Sequence, residues 1–180
     1  DLFRVLETIH RIDISSEQGF GKWNAEGITE YQSWKDVLLD VGKYLGNDDE
    51  GTSLFQTSFL EKDVWEKIYI HLINLLQFCP ENKYLVHGDY GFDNLLAKGE
   101  KITAVIDWEH SMYGDFVFDI AWLGFWSEGD EYEEKYQEYC ESIDRDIPNI
   151  KERVLCYKLF IGLGSLSFYA YSNQKEKYER

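Results

Sequence analysis

Cysteine is scarce in this chain, and that scarcity is the first constraint. Cys79, Cys140 and Cys156 are the three in 180 residues, widely spaced and in no metal-ligand pattern. An odd, scattered set argues against a disulfide framework and suits reduced thiols in a cytoplasmic protein. Basic side chains are also few: 18 Lys and Arg stand against 34 Asp and Glu, a formal net charge of −16. Nucleic acid and anionic membrane bind through Lys and Arg, so this balance excludes both as partners. It would attract a polycationic ligand, although acidity can serve solubility alone. No apolar run approaches membrane-spanning length, and no signal-peptide pattern opens the chain. Histidines number four, with His10 and His71 on expected helices far from the rest, too few converging ligands for a metal hydrolase. There is no internal repeat and no low-complexity segment.

What is present belongs to a folded globule. Hydrophobic residues make up 44% and aromatics 17%, and the length fits one domain with a real core. Leu2, Val5, Leu6 and Ile9 recur at helical spacing to about Arg11. Ser15 to Gly27 reads as loop, and a second helix is expected from Tyr31 to Val41, ending at Gly42 or Gly46. The longest helix runs from Leu60 to a stop near Cys79-Pro80. Then the period changes. Tyr84 to Val86 is short and extended, and Leu95 to Ala97 and Ile102 to Ile106 flank a plausible hairpin turn at 98–101. Helices are expected again over Phe116–Phe125, Tyr132–Ile143 and Val154–Tyr171. The fold class is therefore α+β and mostly helical, with a small β hairpin carrying the chemistry.

That chemistry is carried by HGDYGFDN at 87–94 and VIDW at 105–108. Asp89 and Asn94 have the spacing of the protein-kinase catalytic loop, H-R-D-x-x-x-x-N, with His87 in the position of its His and Gly88 replacing its Arg. In phosphoryl transfer one Asp orients and deprotonates the attacking hydroxyl, while an Asn and a second Asp hold magnesium on the ATP phosphates. Asp89 is thus the candidate base, and Asn94 and Asp107 the candidate metal ligands; the alternative for Asp89 is a turn carboxylate capping backbone amides. His87 reads as structural, its ring stiffening the loop. Asp115 is a candidate helix cap. Asp119, on a largely apolar helix, needs hydrogen bonds if it is buried, and the backbone of the catalytic loop can supply them.

These motifs, together with GDFVFDIAW at 114–122, resemble the aminoglycoside phosphotransferase family, and GFG at 19–21 with GITEYQSWKD at 27–36 resemble its hygromycin B phosphotransferase branch. The resemblance spans about Gly19 to Trp126 and weakens in the last third. It implies a protein-kinase-like fold, Asp89 as base, Asn94 and Asp107 as Mg²⁺ ligands, and Asp119 as a structural partner of the loop that His87 stiffens. It also implies ATP as donor, with GTP open. The implied acceptor is a cationic small molecule held by carboxylates and aromatic faces, with Asp93, Glu109, Trp126, Glu128, Asp130 and Glu131 as candidates.

The family's Gly-rich nucleotide loop and its strand Lys have no counterpart here. Residues 1–180 are accordingly expected to be the C-terminal, acceptor-binding lobe, inactive alone, with the N-terminal nucleotide lobe in a longer parent protein. The expected activity of that parent is Mg-dependent O-phosphorylation of an aminoglycoside, which would confer antibiotic resistance. A kinase for another cationic metabolite, or a non-catalytic ligand-binding remnant, is the alternative.

Overall fold

The structure is a computed structural model that describes residues 1–45, 53–127 and 131–179. The chain opens with α1 (Leu2–His10), which buries Leu6, Glu7, Ile9 and His10 on one face. A hairpin follows, β1 (Phe20–Trp23) and β2 (Thr29–Tyr31). Its turn is held by the Asn24 carboxamide oxygen, which accepts from the Glu26 and Ile28 amides. Next come α2 (Trp34–Leu39), capped by Ser33, a 3₁₀ turn at Asp40–Leu45, the short α3 (Leu54–Thr57) and α4 (Lys62–Leu75).

The strands β3 (Tyr84–Val86), β4 (Leu95–Lys98), β5 (Lys101–Val105) and β6 (Met112–Gly114) follow, and then α5 (Val117–Trp126), α6 (Tyr132–Ser142), α7 (Ile150–Tyr171) and α8 (Lys175–Tyr178). The strands form two sheets. One has the order β2-β1-β6-β3, antiparallel throughout, with Gly21 opposite Tyr113 and Val86 opposite Met112. The other is the β4–β5 hairpin.

The expected helices lie close to their expected bounds, but the longest is α7 with 22 residues, not the helix that stops before Cys79, where α4 has 14. The short α3 and α8 are not among the expected helices, and the strand expectations are too few. Ser15 to Gly27 contains β1, Tyr31 belongs to β2, and Met112–Gly114 is a strand. Each of these segments is three or four residues long, and β1 finds one of its partners about ninety residues away, so periodicity along the chain carries no trace of the pairing. The loop at 87–94 leads from β3 of the first sheet into the β4–β5 hairpin, so both sheets hold its ends. The possible helix end at Gly46 lies outside the described residues.

The core is built on α7, which packs against α4 and α5. By length and composition α7 could cross a membrane, contrary to the reading that no apolar run approaches such a span. Its tertiary setting is that of a core helix: Val154, Cys156, Tyr157, Ile161 and Leu163 are buried within the domain. Arg153 on its first turn makes a two-pronged pair with Asp115, Nε to Oδ2 at 2.9 Å and Nη2 to Oδ1 at 2.5 Å. The Tyr157 hydroxyl donates to the same carboxylate, and Trp34 Nε1 donates to Tyr157 at 3.1 Å. Asp115 also accepts from the Val117 amide at the start of α5, so the expected cap is one arm of a buried network.

Candidate functional site

Strand β3 ends at Val86 and delivers His87 to the base of the loop. The His87 ring is fully buried; its Nε2–H donates to the Ile106 carbonyl at 3.0 Å, and its Nδ1 accepts the Asp89 amide at 3.3 Å. One imidazole thus ties the residue before Asp107 to the backbone of Asp89. Trp108 covers it, with ring centroids 4.7 Å apart, and donates from its own Nε1 to Val105.

Gly88 has φ +77°, and a Cβ there would stand 2.1 Å from the His110 carbonyl oxygen. This is why glycine occupies the position that is Arg in the protein-kinase loop. Gly88→Ala must push the His110 backbone aside and adopt a disfavoured φ. The expected cost is about 1–3 kcal/mol, read as a lower urea midpoint at unchanged m-value.

Asp119, fully buried on α5, accepts the His87 amide on Oδ2 at 3.1 Å and the Gly88 amide on Oδ1 at 2.8 Å. A third donor comes from the far end of the chain, His10 Nε2, at 2.9 Å from Oδ2. Asp89 is half-buried. Its Oδ2 and its own carbonyl both accept from Asn94 Nδ2, at 2.9 and 2.8 Å. That leaves Asp89 Oδ1 and Asn94 Oδ1 without a hydrogen-bond partner among the described residues.

Asn94 closes the 3₁₀ turn Phe92–Asn94, and its carbonyl accepts the Ile106 amide at 3.0 Å, which brings Asp107 alongside. Asp107 is exposed, and among the described residues its carboxylate has no hydrogen-bond or ion-pair partner. Its φ is +59°, a left-handed conformation that few non-glycine residues adopt and that tends to mark functional sites. One free carboxylate and one free amide oxygen suit Mg²⁺, which binds few protein ligands and completes its shell with phosphate and water. Among the described residues no cluster of three His, Cys, Asp or Glu forms an all-protein metal cage.

A cavity of about 920 Å³ opens beside the loop, with Gly88 and His110 in its wall. That volume is at the upper end for small-molecule sites. Its acidic lining is Glu30 and Asp40, and its aromatic lining includes Tyr31, Trp122 and Tyr171. The acceptor candidates named from sequence fall elsewhere. Asp93 and Glu109 are exposed beside the loop, Glu131 is exposed before α6, and Trp126 reaches the cavity only through its ring contact with Trp122, with centroids 5.9 Å apart. None of these four lines the cavity, while Glu128 and Asp130 lie outside the described residues. Glu30 and Asp40 escaped notice because they belong to a hairpin and a helix end that only the tertiary fold brings to the loop.

Comparison with known proteins agrees with this geometry. Residues 1–151 match the phosphotransferase enzyme family (APH). Hygromycin-B 4-O-kinase of Escherichia coli is 30% identical over 164 residues, 89% of this chain and 46% of that protein. The chain therefore spans about half the length of this curated relative. Among solved structures, a thermostable mutant of aminoglycoside phosphotransferase APH(4)-Ia in ternary complex with AMP-PNP and hygromycin B superposes with a TM-score of 0.78 at 25% identity, over 99% of this chain and 59% of that one. The apo form of such a mutant gives 0.74 at 28% identity, again over 99% and 59%. A macrolide 2'-phosphotransferase of type I, at 17% identity and TM-score 0.64 over 96% and 53%, shares the fold. With a loop geometry suited to phosphoryl transfer and a family match over most of its length, the chain belongs to the phosphotransferase enzyme family.

Proposed function

We propose that this chain is the acceptor-binding, C-terminal lobe of a kinase that phosphorylates a hydroxyl of a cationic small molecule, with an aminoglycoside as the favoured acceptor. The observation that carries this reading is the Asp89–Asn94 hydrogen bond, which leaves one oxygen of each side chain free beside the unpaired carboxylate of Asp107. In this reading Asp89 Oδ1 accepts the proton of the acceptor hydroxyl, whose oxygen attacks the γ-phosphorus as the nucleoside diphosphate departs. Asn94 and Asp107 would hold Mg²⁺, whose charge neutralises the phosphate oxygens. His87 and Asp119 keep the loop in place and touch neither substrate nor metal.

The donor would be ATP, in line with the AMP-PNP complex of the similar enzyme, and the nucleotide lobe would lie in the rest of a longer protein. On the β4–β5 hairpin the cross-strand partners Leu96 and Ala104 are exposed, as is Ile106 just past β5, an apolar surface next to the proposed metal ligands. The acceptor would occupy the 920 Å³ cavity. Its cation-binding character is already expressed within the chain: Lys43 Nζ lies 2.6 Å from Asp40 and 3.4 Å from Glu30, and 5.0 Å above the Tyr31 ring. A substrate ammonium would find the same two carboxylates and the same ring face. The three cysteines are free and buried, which suits a reducing, cytoplasmic setting where ATP is available. Phosphorylating an aminoglycoside there would give its host resistance.

The test is transfer of labelled phosphate from ATP and Mg²⁺ by the full-length protein to a panel of hygromycin B, other aminoglycosides, amino sugars and choline. Transfer to an aminoglycoside with kcat/KM at least about tenfold above the other cations is expected. Preference for choline or an amino sugar would keep the kinase and replace its acceptor. Tight acceptor binding with no transfer to any of them would mean a ligand-binding remnant.

A further inference from the structure

His10 lies 109 residues from Asp119 in sequence, yet its Nε2 stands 2.9 Å from Asp119 Oδ2 with both side chains buried. The same oxygen receives the His87 amide, and the other oxygen receives the Gly88 amide. Asp119 thus has two donors from the loop it supports and one from a different element. Removing the loop's own amides from the count, His10 is the donor that fixes the carboxylate from outside. The ring is in turn placed by Phe116, with centroids 5.6 Å apart, and by its position at the end of α1, which packs on β3.

Facing His10 are Asp119 and Phe116 near the start of α5, Glu7 of its own helix and Arg11 just after it, Tyr84 of β3, and Asp144 and Arg145 after α6. Both arginines pair with Glu7, Arg11 Nη2 at 2.9 Å and Arg145 through Nη1. Among the described residues His10 Nδ1 has no partner. Its single bond is therefore the one to Asp119, and a residue retained for packing alone would not need it.

We propose that His10 is a positioning residue of the phosphotransfer reaction: it locks the Asp119 carboxylate so that the His87 and Gly88 amides, and with them the Asp89 side chain, stay in the reactive arrangement. The inference rests on the kinase reading above. Its action is through Asp119 and the loop backbone, never on the substrate itself.

The test uses the full-length protein with ATP, Mg²⁺ and hygromycin B, and compares His10→Leu with His10→Gln. The Gln amide can present an N–H at nearly the place of Nε2, while Leu fills space without a donor. His10→Leu is expected to lower kcat roughly ten- to a hundredfold with KM for hygromycin B within about twofold, and His10→Gln to recover most of the loss. Amide hydrogen exchange supplies a second readout that does not depend on turnover. Exchange at His87 and Gly88 should accelerate in His10→Leu while α7 stays protected. A folded Leu variant with wild-type kcat and wild-type exchange at the loop overturns the proposal. So does a loss that His10→Gln shares in full, with exchange raised throughout the domain, because that marks a packing role. If wild-type protein transfers no phosphate to hygromycin B, the acceptor reading fails, and exchange at His87 and Gly88 still decides whether His10 holds the loop.

Discussion

Asp89→Asn in the full-length protein is expected to lower kcat roughly 10²- to 10⁴-fold, with hygromycin B binding changed less than about twofold. The substitution keeps size and shape. Asn94 Nδ2 now donates to both the Asp89 side chain and its carbonyl, and an amide oxygen at position 89 can still accept that bond. The loop is tied down independently by the His87 ring, through Ile106, and by Asp119, through two amides. What disappears is the atom able to receive a proton from the acceptor hydroxyl. The expected loss corresponds to about 3–5 kcal/mol of transition-state stabilisation. Single-turnover phosphate transfer measures it, and calorimetric titration with hygromycin B checks that the cavity is intact. Turnover within a factor of about three of wild type would remove Asp89 from the role of base.

The second large effect concerns stability and lies away from the chemistry. Arg153→Leu is expected to destabilise the domain by about 3–5 kcal/mol, because it leaves Asp115 buried without its counter-charge. Asp115 is inaccessible to water, and two of its partners are the Arg153 guanidinium nitrogens at 2.9 and 2.5 Å. Tyr157 and the Val117 amide remain as neutral donors, too weak to replace a cation. For a domain of this size that loss lowers Tm by roughly 6–20 °C, using about 2–4 °C per kcal/mol. Arg153→Lys should recover only part of it, since an ammonium cannot reproduce the two-pronged contact. Urea unfolding of the three proteins measures the series. A loss below about 1 kcal/mol for the Leu variant would mean that the buried pair contributes little net stability here.

The network has a geometric consequence for the site. Asp115, just before α5, fastens the start of that helix to α7, and Asp119 lies in its first turn. The carboxylate that holds the catalytic loop is thus placed by a helix anchored to the centre of the core. Asp115 looks in sequence like an ordinary helix cap, and that is one of its bonds. Its more consequential partners, Arg153 and Tyr157, come 38 and 42 residues later.

Parts of the protein were legible in the chain itself. The spacing of the partly buried Leu2 with the buried Leu6 and Ile9, or of Leu72 and Leu76, declares an inward helical face, because a period of 3.6 is a local property. The loop Asp89 to Asn94 is local too: five residues suffice for the Asn94 amide to return to Asp89, so the motif contains its own geometry. The hairpin that carries Asp107 follows from a turn between two short apolar runs, and its register is set across only a few residues. These elements named the candidate base and metal ligands before any fold was known.

The remainder required the fold. Strand β1 has a four-residue sequence with a glycine inside it, and it becomes a strand because β2 and the distant β6 are there to pair with it. The cavity wall collects Glu30, Asp40, Trp122 and Tyr171 from separate elements, while Asp93 and Glu109, nearer to the loop in sequence, face solvent. His10 meets Asp119 only once α1 is packed on β3. Sequence by itself determined the helices and the reactive loop, since both rest on contacts within a few residues. The cavity beside the loop, the anchoring of α5 and the third donor to Asp119 were decided by tertiary structure, because each joins residues whose encounter depends on the packing of the whole domain.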